Sequence, residues 1–329
     1  MDDVRAFIDA AQAFFDAIAS VAWAPLVGAM MLHVVRLALR ARAWQNILRA
    51  SLPGSKVAYG SAFGAYVAGV GVNSIVPARG GDVVKVYLAR QHIAESSYPT
   101  LGSTLVVETL FDFVVAMALF LYALSLGILP GVPDLPHLPA FDWTFVVEHP
   151  RFSAFLGCVL IGCAILVVAW ASRRVTAFKE KVAQGFLILG DRRAFLEQVV
   201  SWQAASWIVR AVTVYLFLRA FHIDAGVQTV VAVLVVQGLS TLLPFTPGGA
   251  GTQQAVLVFV LRGTAAASAA LAFSVGMQLV TVAVNVVLGF GAIAIMLRTL
   301  HFGRHVFGSK KELATAESTT PPPRSGLSG

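Results

Sequence analysis

The chain has 329 residues, 57% of them hydrophobic and only 12% charged, whereas about a quarter of an ordinary soluble domain is charged. Apolar surface on that scale excludes a soluble globular protein and requires several runs of about 20 apolar residues exposed to lipid. Lys and Arg number 24 against 17 Asp and Glu, a formal net charge of +7, and much of that excess lies in short loops beside the apolar runs, a pattern of membrane orientation rather than of nucleic-acid binding.

The N-terminal stretch carries Asp2, Asp3, Asp9 and Asp16 against Arg5. It lacks the basic start of a cleaved signal peptide and reads as a retained interfacial helix. Apolar runs then follow at 17–35, 56–76, 100–129, 153–171, 198–219, 226–244 and 264–297, each long enough for a membrane helix. The loop 36–56 holds Arg36, Arg40, Arg42, Arg49 and Lys56 without an acid, and reads as cytoplasmic. Segment 130–150 has Asp134, Asp142 and Glu148, no Lys or Arg, and prolines that interrupt a helix, so it faces outward. The basic sets in 172–197 and after residue 297 return both regions to the cytoplasmic side. Residues 309–329 are polar and proline-rich and read as a disordered cytoplasmic tail. Cys158 and Cys163 sit five apart in one run and give neither a disulfide framework nor a metal site.

These directions impose a reversal. Residues 36–56 lie inside and the run 100–129 must end outside, so the chain between them has to return. Residues 56–76 enter, NSIVPARGGD breaks the helix, and 82–98 come back. In the C-terminal half 226–244 enters from the outside, LPFTPGGAG breaks it, and 252–262 returns. The two breaks also share a pattern: Pro follows Gly by six positions in Gly71 to Pro77 and in Gly238 to Pro244, with a double glycine next at Gly80 and Gly81 or Gly248 and Gly249. The expected fold is therefore an all-α polytopic helix bundle with an inverted repeat and two hairpins broken at Gly/Pro motifs. A single membrane domain spans 1–308, with approximate halves 17–129 and 198–298 linked by 130–197.

A break of this kind frees backbone N–H groups at the start of the returning helix, where the dipole favours anions. The candidate cradles are Gly80 to Asp82 and Gly248 to Thr252, with Arg79 and Lys85 beside the first. Glu108 and Asp112 lie four apart on one helix face, about 12 and 18 Å into the run that starts near residue 100. A charge near the bilayer centre costs about 2.5–3.5 kcal/mol, so each needs a partner or water. Arg210, Arg79 and Lys85 are the candidate partners. The pair then either fixes helix register or serves a polar cavity in which the cations attract a phosphate while the carboxylates hold them or engage an amine. Gln237, Gln253, Gln254, Gln278 and Asn285 would add neutral hydrogen bonds. Trp23, Trp44, Trp143, Trp202 and Trp207 read as interfacial anchors.

The segments NSIVPARGGDVVK (Asn73 to Lys85) and PFTPGGAGTQQ (Pro244 to Gln254) resemble the paired signatures of the lysylphosphatidylglycerol synthase transmembrane region, also described as a flippase-like membrane domain family. The resemblance covers roughly residues 20–298, and Glu108 and Asp112 fall where that family tends to carry acids. Lys85 stands where Arg is common, and Gln254 where Glu is common, which removes a titrating group from that position. The resemblance implies lipid translocation or head-group handling in an inner (cytoplasmic) membrane. Its ligand would be an anionic phospholipid, a glycolipid or a hopanoid-type lipid, and a lipid-synthesising enzyme is an implied partner.

The expected function is a flippase-like lipid transporter that takes a phosphate-bearing head group between the two hairpins and moves it between leaflets. Its contacts come from Arg79, Gly80, Gly81, Asp82, Lys85, Glu108, Asp112, Arg210, Gly248, Gly249, Gly251, Thr252 and Gln254. No HExxH, GxSxG or Gly-rich loop ending in GKS or GKT is present, so no enzymatic activity, metal or cofactor is expected. The rival readings are a membrane-embedded lipid-modifying enzyme with Glu108 or Asp112 as general base, and an ion-coupled transporter of small solutes.

Overall fold

A computed structural model describes residues 12–76, 79–125, 176–242 and 251–318. The run 153–171, the segment 130–150, both cysteines, Pro77, and most of the second break, including Pro244, Gly248 and Gly249, lie outside the described residues. Those described form helices and no strand: α1 (Trp23–Ser51), α2 (Tyr59–Asn73), α3 (Gly80–His92), α4 (Tyr98–Ser125), α5 (Thr176–Gly185), α6 (Ser201–Ala220), α7 (Val227–Leu242), α8 (Thr252–Val260) and α9 (Ala267–Ser318), with short helical pieces between α5 and α6. Three stretches, Trp23–Ser51, Tyr98–Ala123 and Ala267–Arg298, are long and apolar enough to cross a membrane. The chain is an all-α multi-pass membrane protein.

Two boundaries differ from the sequence reading. Helix α1 runs on to Ser51, so Arg36, Arg40, Arg42 and Arg49 sit on a helix and not in a loop. No Gly or Pro occurs between Gly28 and Pro53, and the Arg, Ala and Leu of this stretch are strong helix formers. Helix α9 extends to Ser318, past residue 309 where the tail was expected to begin; KKELATAES is again good helix-forming sequence, and prolines follow it.

The first hairpin is α2 and α3. At 15 and 13 residues they are about 22 and 20 Å long, short of the ~30 Å hydrocarbon core. Their outer ends meet, because Ser55 Oγ donates to the Ala94 carbonyl at 2.6 Å. The two backbones touch near the tip: a Cβ on Gly81 would collide with the Gly69 carbonyl oxygen. The chain thus enters and leaves on one face.

Helices α1 and α6 pack antiparallel. The Ala22 N–H donates to the Ala220 carbonyl at 2.9 Å at one end, and Asn46 Nδ2 donates to the Gln198 carbonyl at 2.6 Å at the other. The first hairpin opens on the face where α1 ends, whereas α7 begins where α6 ends, on the opposite face. There Ile223, Val230, Leu261 and Ala270 share one hydrophobic cluster, so the second hairpin, α7 and α8, opens on that side. In each half the hairpin's first helix packs on the long helix of the other half: α2 on α9, and α7 on α4. The α2–α9 contact is backbone to backbone, since a Cβ on Gly71 would fall 2.8 Å from Gly289 Cα. Small residues allow this close approach without any hydrophobic driving force between helices in lipid.

Candidate functional site

The i to i+4 spacing on α4 turns Glu108 and Asp112 toward the centre of the bundle, where four other helices meet them. Arg40 on α1 reaches both carboxylates. Its Nη1 donates to Asp112 Oδ1 at 2.8 Å, and its Nη2 to Glu108 Oε1 at 2.8 Å and to Asp112 Oδ2. Lys85 on α3 donates to Glu108 Oε2 at 2.7 Å, Tyr66 on α2 donates its hydroxyl to Glu108 Oε1 at 2.9 Å, and Trp207 on α6 donates Nε1 to Asp112 Oδ1 at 3.0 Å. The Lys85 ammonium also lies 4.2 Å from the Trp44 ring and 4.1 Å from the Tyr66 ring, an arrangement in which ring quadrupoles stabilise a desolvated cation. Lys85 and Glu108 are 4% and 6% exposed. Bidentate Arg–carboxylate geometry with every oxygen occupied is the condition under which buried charge is tolerated.

This cluster forms one wall of a cavity of about 640 Å³, within the size range of a small-ligand pocket. The first hairpin contributes Asn73, Ser74, Arg79 and Asp82, α8 contributes Gln253, and α9 contributes Gln278 and Asn285. His33 Nε2 lies 2.8 Å from Asn285 Oδ1, and Asn285 Nδ2 donates to Ser74 Oγ at 3.0 Å, tying the hairpin tip to α1 and α9. Apolar residues of α4, among them Phe113, Met117 and Phe120, complete the lining.

Five cations and three carboxylates line the cavity: Arg36, Arg40, Arg79, Lys85 and Arg210 against Asp82, Glu108 and Asp112. Among the described residues Arg40, Lys85 and Arg79 hold ion pairs, and Arg36 and Arg210 hold none. Arg210 donates to Gln237 Oε1 at 3.0 Å and lies 4.7 Å from the Trp207 ring centroid. Both arginines sit near the middle of their helices. Interpolating the α1–α6 register between these two bonds places Arg36 opposite Trp207, within about 4 Å of Arg210 along the axis.

The sequence-derived candidates divide accordingly. Arg79, Asp82, Lys85, Glu108, Asp112 and Arg210 share the cavity. Lys85 is the partner of Glu108, but Arg210 pairs with neither acid, and Arg79 pairs with Asp82 at 3.3 Å, its side chain 65% exposed. The expected amide cradle at Gly80 to Asp82 is largely spent. The Gly81 N–H donates to Asn73 Oδ1 at 2.7 Å and the Asp82 N–H to the Arg79 carbonyl at 3.0 Å. At the second break the Gly251 N–H donates to Gln254 Oε1 at 2.6 Å, and Gln254 Nε2 donates to Gln278 Oε1. Gln254 therefore caps α8. Thr252 opens that helix, while Gly248 and Gly249 lie outside the described residues.

Residues missed by the sequence reading are Arg36, Arg40, Tyr66 and two tryptophans. Trp44 and Trp207 are buried, with Trp44 Nε1 donating to Thr104 at 3.1 Å, and are not interfacial anchors. The signal for the arginines was present: His33, Arg36, Leu37, Arg40 and Trp44 recur at helical spacing on one face of an uninterrupted helix.

Residues 7–289 match the family model described as the lysylphosphatidylglycerol synthase TM region. The UPF0104 membrane protein MJ1078 of Methanocaldococcus jannaschii is 23% identical over 191 residues, which is 58% of this chain and 79% of that protein. Glycosyltransferase AglD of Haloferax volcanii is 26% identical over 305 residues, covering 81% of this chain and 48% of the relative, so the chain spans about half of its length. These matches associate the chain with membrane lipids. They also correct the expectation that it is not an enzyme: the family is described through a synthase and one relative is named a glycosyltransferase, so enzymes stand among its relatives.

Proposed function

We propose that this chain, which belongs to the lysylphosphatidylglycerol synthase TM region family, holds the phosphate of a lipid head group between Arg36 and Arg210 and moves that head group between the leaflets of the inner (cytoplasmic) membrane. The observation that carries the reading is the pair of mid-helix guanidinium groups that line the cavity with no carboxylate at ion-pair distance among the described residues. Charge without a direct counter-ion at that depth is costly, and a bound anion offsets it. Guanidinium forks match phosphate oxygens. Arg79, more exposed and at the hairpin tip, suits the approach of the head group. Lys85, Glu108 and Asp112 act by holding Arg40 and the hairpin in place. The apolar α4 lining gives the hydrocarbon part of a lipid a path beside the polar half of the cavity. The C-terminus lies on the cytoplasmic side in this reading, and an enzyme that makes the lipid is the fitting partner.

Reconstitution of the full chain in vesicles with labelled phospholipids tests it. Leaflet exchange of an unaltered lipid that falls on Arg210→Gln supports the proposal. A covalently altered lipid assigns modification to the chain, and transport of a soluble solute in place of lipid overturns the reading.

A further inference from the structure

We infer that the cavity selects head groups of net negative charge and rejects those that carry a free ammonium, such as an aminoacylated phosphatidylglycerol. This rests on the reading above that the cavity is a head-group site, and it names the class that the site takes.

An ammonium needs an acceptor, best a carboxylate, and every carboxylate oxygen that lines the cavity among the described residues already faces a donor. Glu108 Oε1 accepts from Arg40 and Tyr66 and Oε2 from Lys85. Asp112 accepts from Arg40 through both oxygens and from Trp207 through Oδ1. Asp82 accepts from Asn73 at Oδ1, 3.1 Å away, and faces Arg79 at Oδ2. A lysyl or alanyl ester would have to expel Arg40 or Lys85 to reach Glu108 or Asp112, and each expulsion strands a buried cation; at Asp82 it would have to displace Arg79 beside it. Arg36 and Arg210, which hold no ion pair among the described residues, have the opposite preference: they attract phosphate and repel an ammonium. Like charges placed together in a binding site suppress the wrong ligand. The remaining polar lining, Asn73, Gln237, Gln253 and Asn285, is neutral and compatible with the hydroxyls of a glycerol or sugar head group.

Binding, not movement, is the readout that isolates this inference. The purified full chain in micelles doped with equal amounts of phosphatidylglycerol and lysyl-phosphatidylglycerol is examined by native mass spectrometry. The expected result is a phosphatidylglycerol adduct favoured by at least about tenfold, with the preference reduced in Arg36→Gln/Arg210→Gln. Equal binding, a preference for the lysyl ester, or binding of neither lipid overturns it. Leaflet exchange of labelled phosphatidylglycerol in vesicles is measured alongside. Selective binding without exchange refutes the transport reading and leaves the charge selectivity standing, whereas exchange with unselective binding does the reverse.

Discussion

The Lys85 ammonium sits 2.7 Å from Glu108 Oε2, closed in by the rings of Trp44 and Tyr66. This contact joins the re-entrant α3 to the membrane-crossing α4, and Arg40 extends it to α1 through the other oxygen of the same carboxylate. Removing one partner of a buried pair leaves the other uncompensated, at a cost of about 3–5 kcal/mol. Glu108→Gln should destabilise the protein by that amount. The double variant Lys85→Met/Glu108→Gln should cost less than the two single changes added together, by about 1 kcal/mol or more. Thermal unfolding in detergent gives both numbers, and strict additivity would mean that the two groups do not stabilise one another.

Arg40 and Arg210 both line the cavity but differ in what they hold. Arg40 makes three hydrogen bonds to two carboxylates, whereas Arg210 hydrogen-bonds only the neutral Gln237 among the described residues. Arg40→Gln should therefore cost about 3 kcal/mol or more in stability. Arg210→Gln should leave stability within about 1 kcal/mol of the parent, since it strands no buried charge, while lowering lipid exchange. Unfolding curves and vesicle assays on the same two preparations check this. Equal loss of stability in both variants would make Arg210 structural.

The α2–α9 crossing gives a steric test. A Cβ at Gly289 would lie 2.8 Å from the Val67 carbonyl oxygen and press on Gly71 Cα, both backbone atoms that cannot rotate away. Gly289→Ala should destabilise by about 1–3 kcal/mol, the range for overpacking. Gly291, two residues on, has open space where its Cβ would go. Gly291→Ala should be neutral or stabilising by up to about 1 kcal/mol, because alanine is the better helix former. The sign difference between these neighbouring substitutions reads the packing directly.

Gln203 on α6 is 1% exposed, and neither amide atom has a hydrogen-bond partner among the described residues. A buried amide in that state costs about 1–3 kcal/mol, and an apolar group of similar shape removes the penalty. Gln203→Leu should raise the melting temperature. A fall would show that the amide is satisfied in the protein as it exists in a membrane.

The reversal of the chain and the two interrupted hairpins were legible because charge sidedness and Gly/Pro punctuation are properties of short segments. The shared face of Glu108 and Asp112 followed from helical spacing alone. Their partners did not, since Arg36 and Arg40 entered the count of loop cations even though both lie in a stretch with nothing to stop a helix. Counting basic residues treats each as solvent-facing, and only the register against α6 decides otherwise. Trp44 and Trp207 were misplaced for the same reason: position near the end of an apolar run does not say which way an indole points. The spent amides at Gly81 and Gly251 depended on Asn73 and Gln254 folding back on their own hairpins. In each case the deciding contact is tertiary, or turns on side-chain direction within the break.

Glu95 lies at the mouth of the first hairpin and Asp224 at the mouth of the second, both exposed, and the antiparallel packing of α1 and α6 puts them on opposite faces of the molecule. The Glu95 face carries Arg49, Lys56, Arg90, Arg192 and Arg193, against Arg219 and Arg262 on the Asp224 face. The positive-inside rule therefore predicts that the Glu95 face is cytoplasmic. With Cys158 and Cys163 replaced by serine, Asp224→Cys should react with a membrane-impermeant maleimide on intact spheroplasts. Glu95→Cys should react only after permeabilisation. The reverse pattern would invert the orientation while keeping the fold. Labelling of both from the same side would refute the opposed hairpins, and with them the antiparallel α1–α6 packing that sets Arg36 and Arg210 at one level of the cavity.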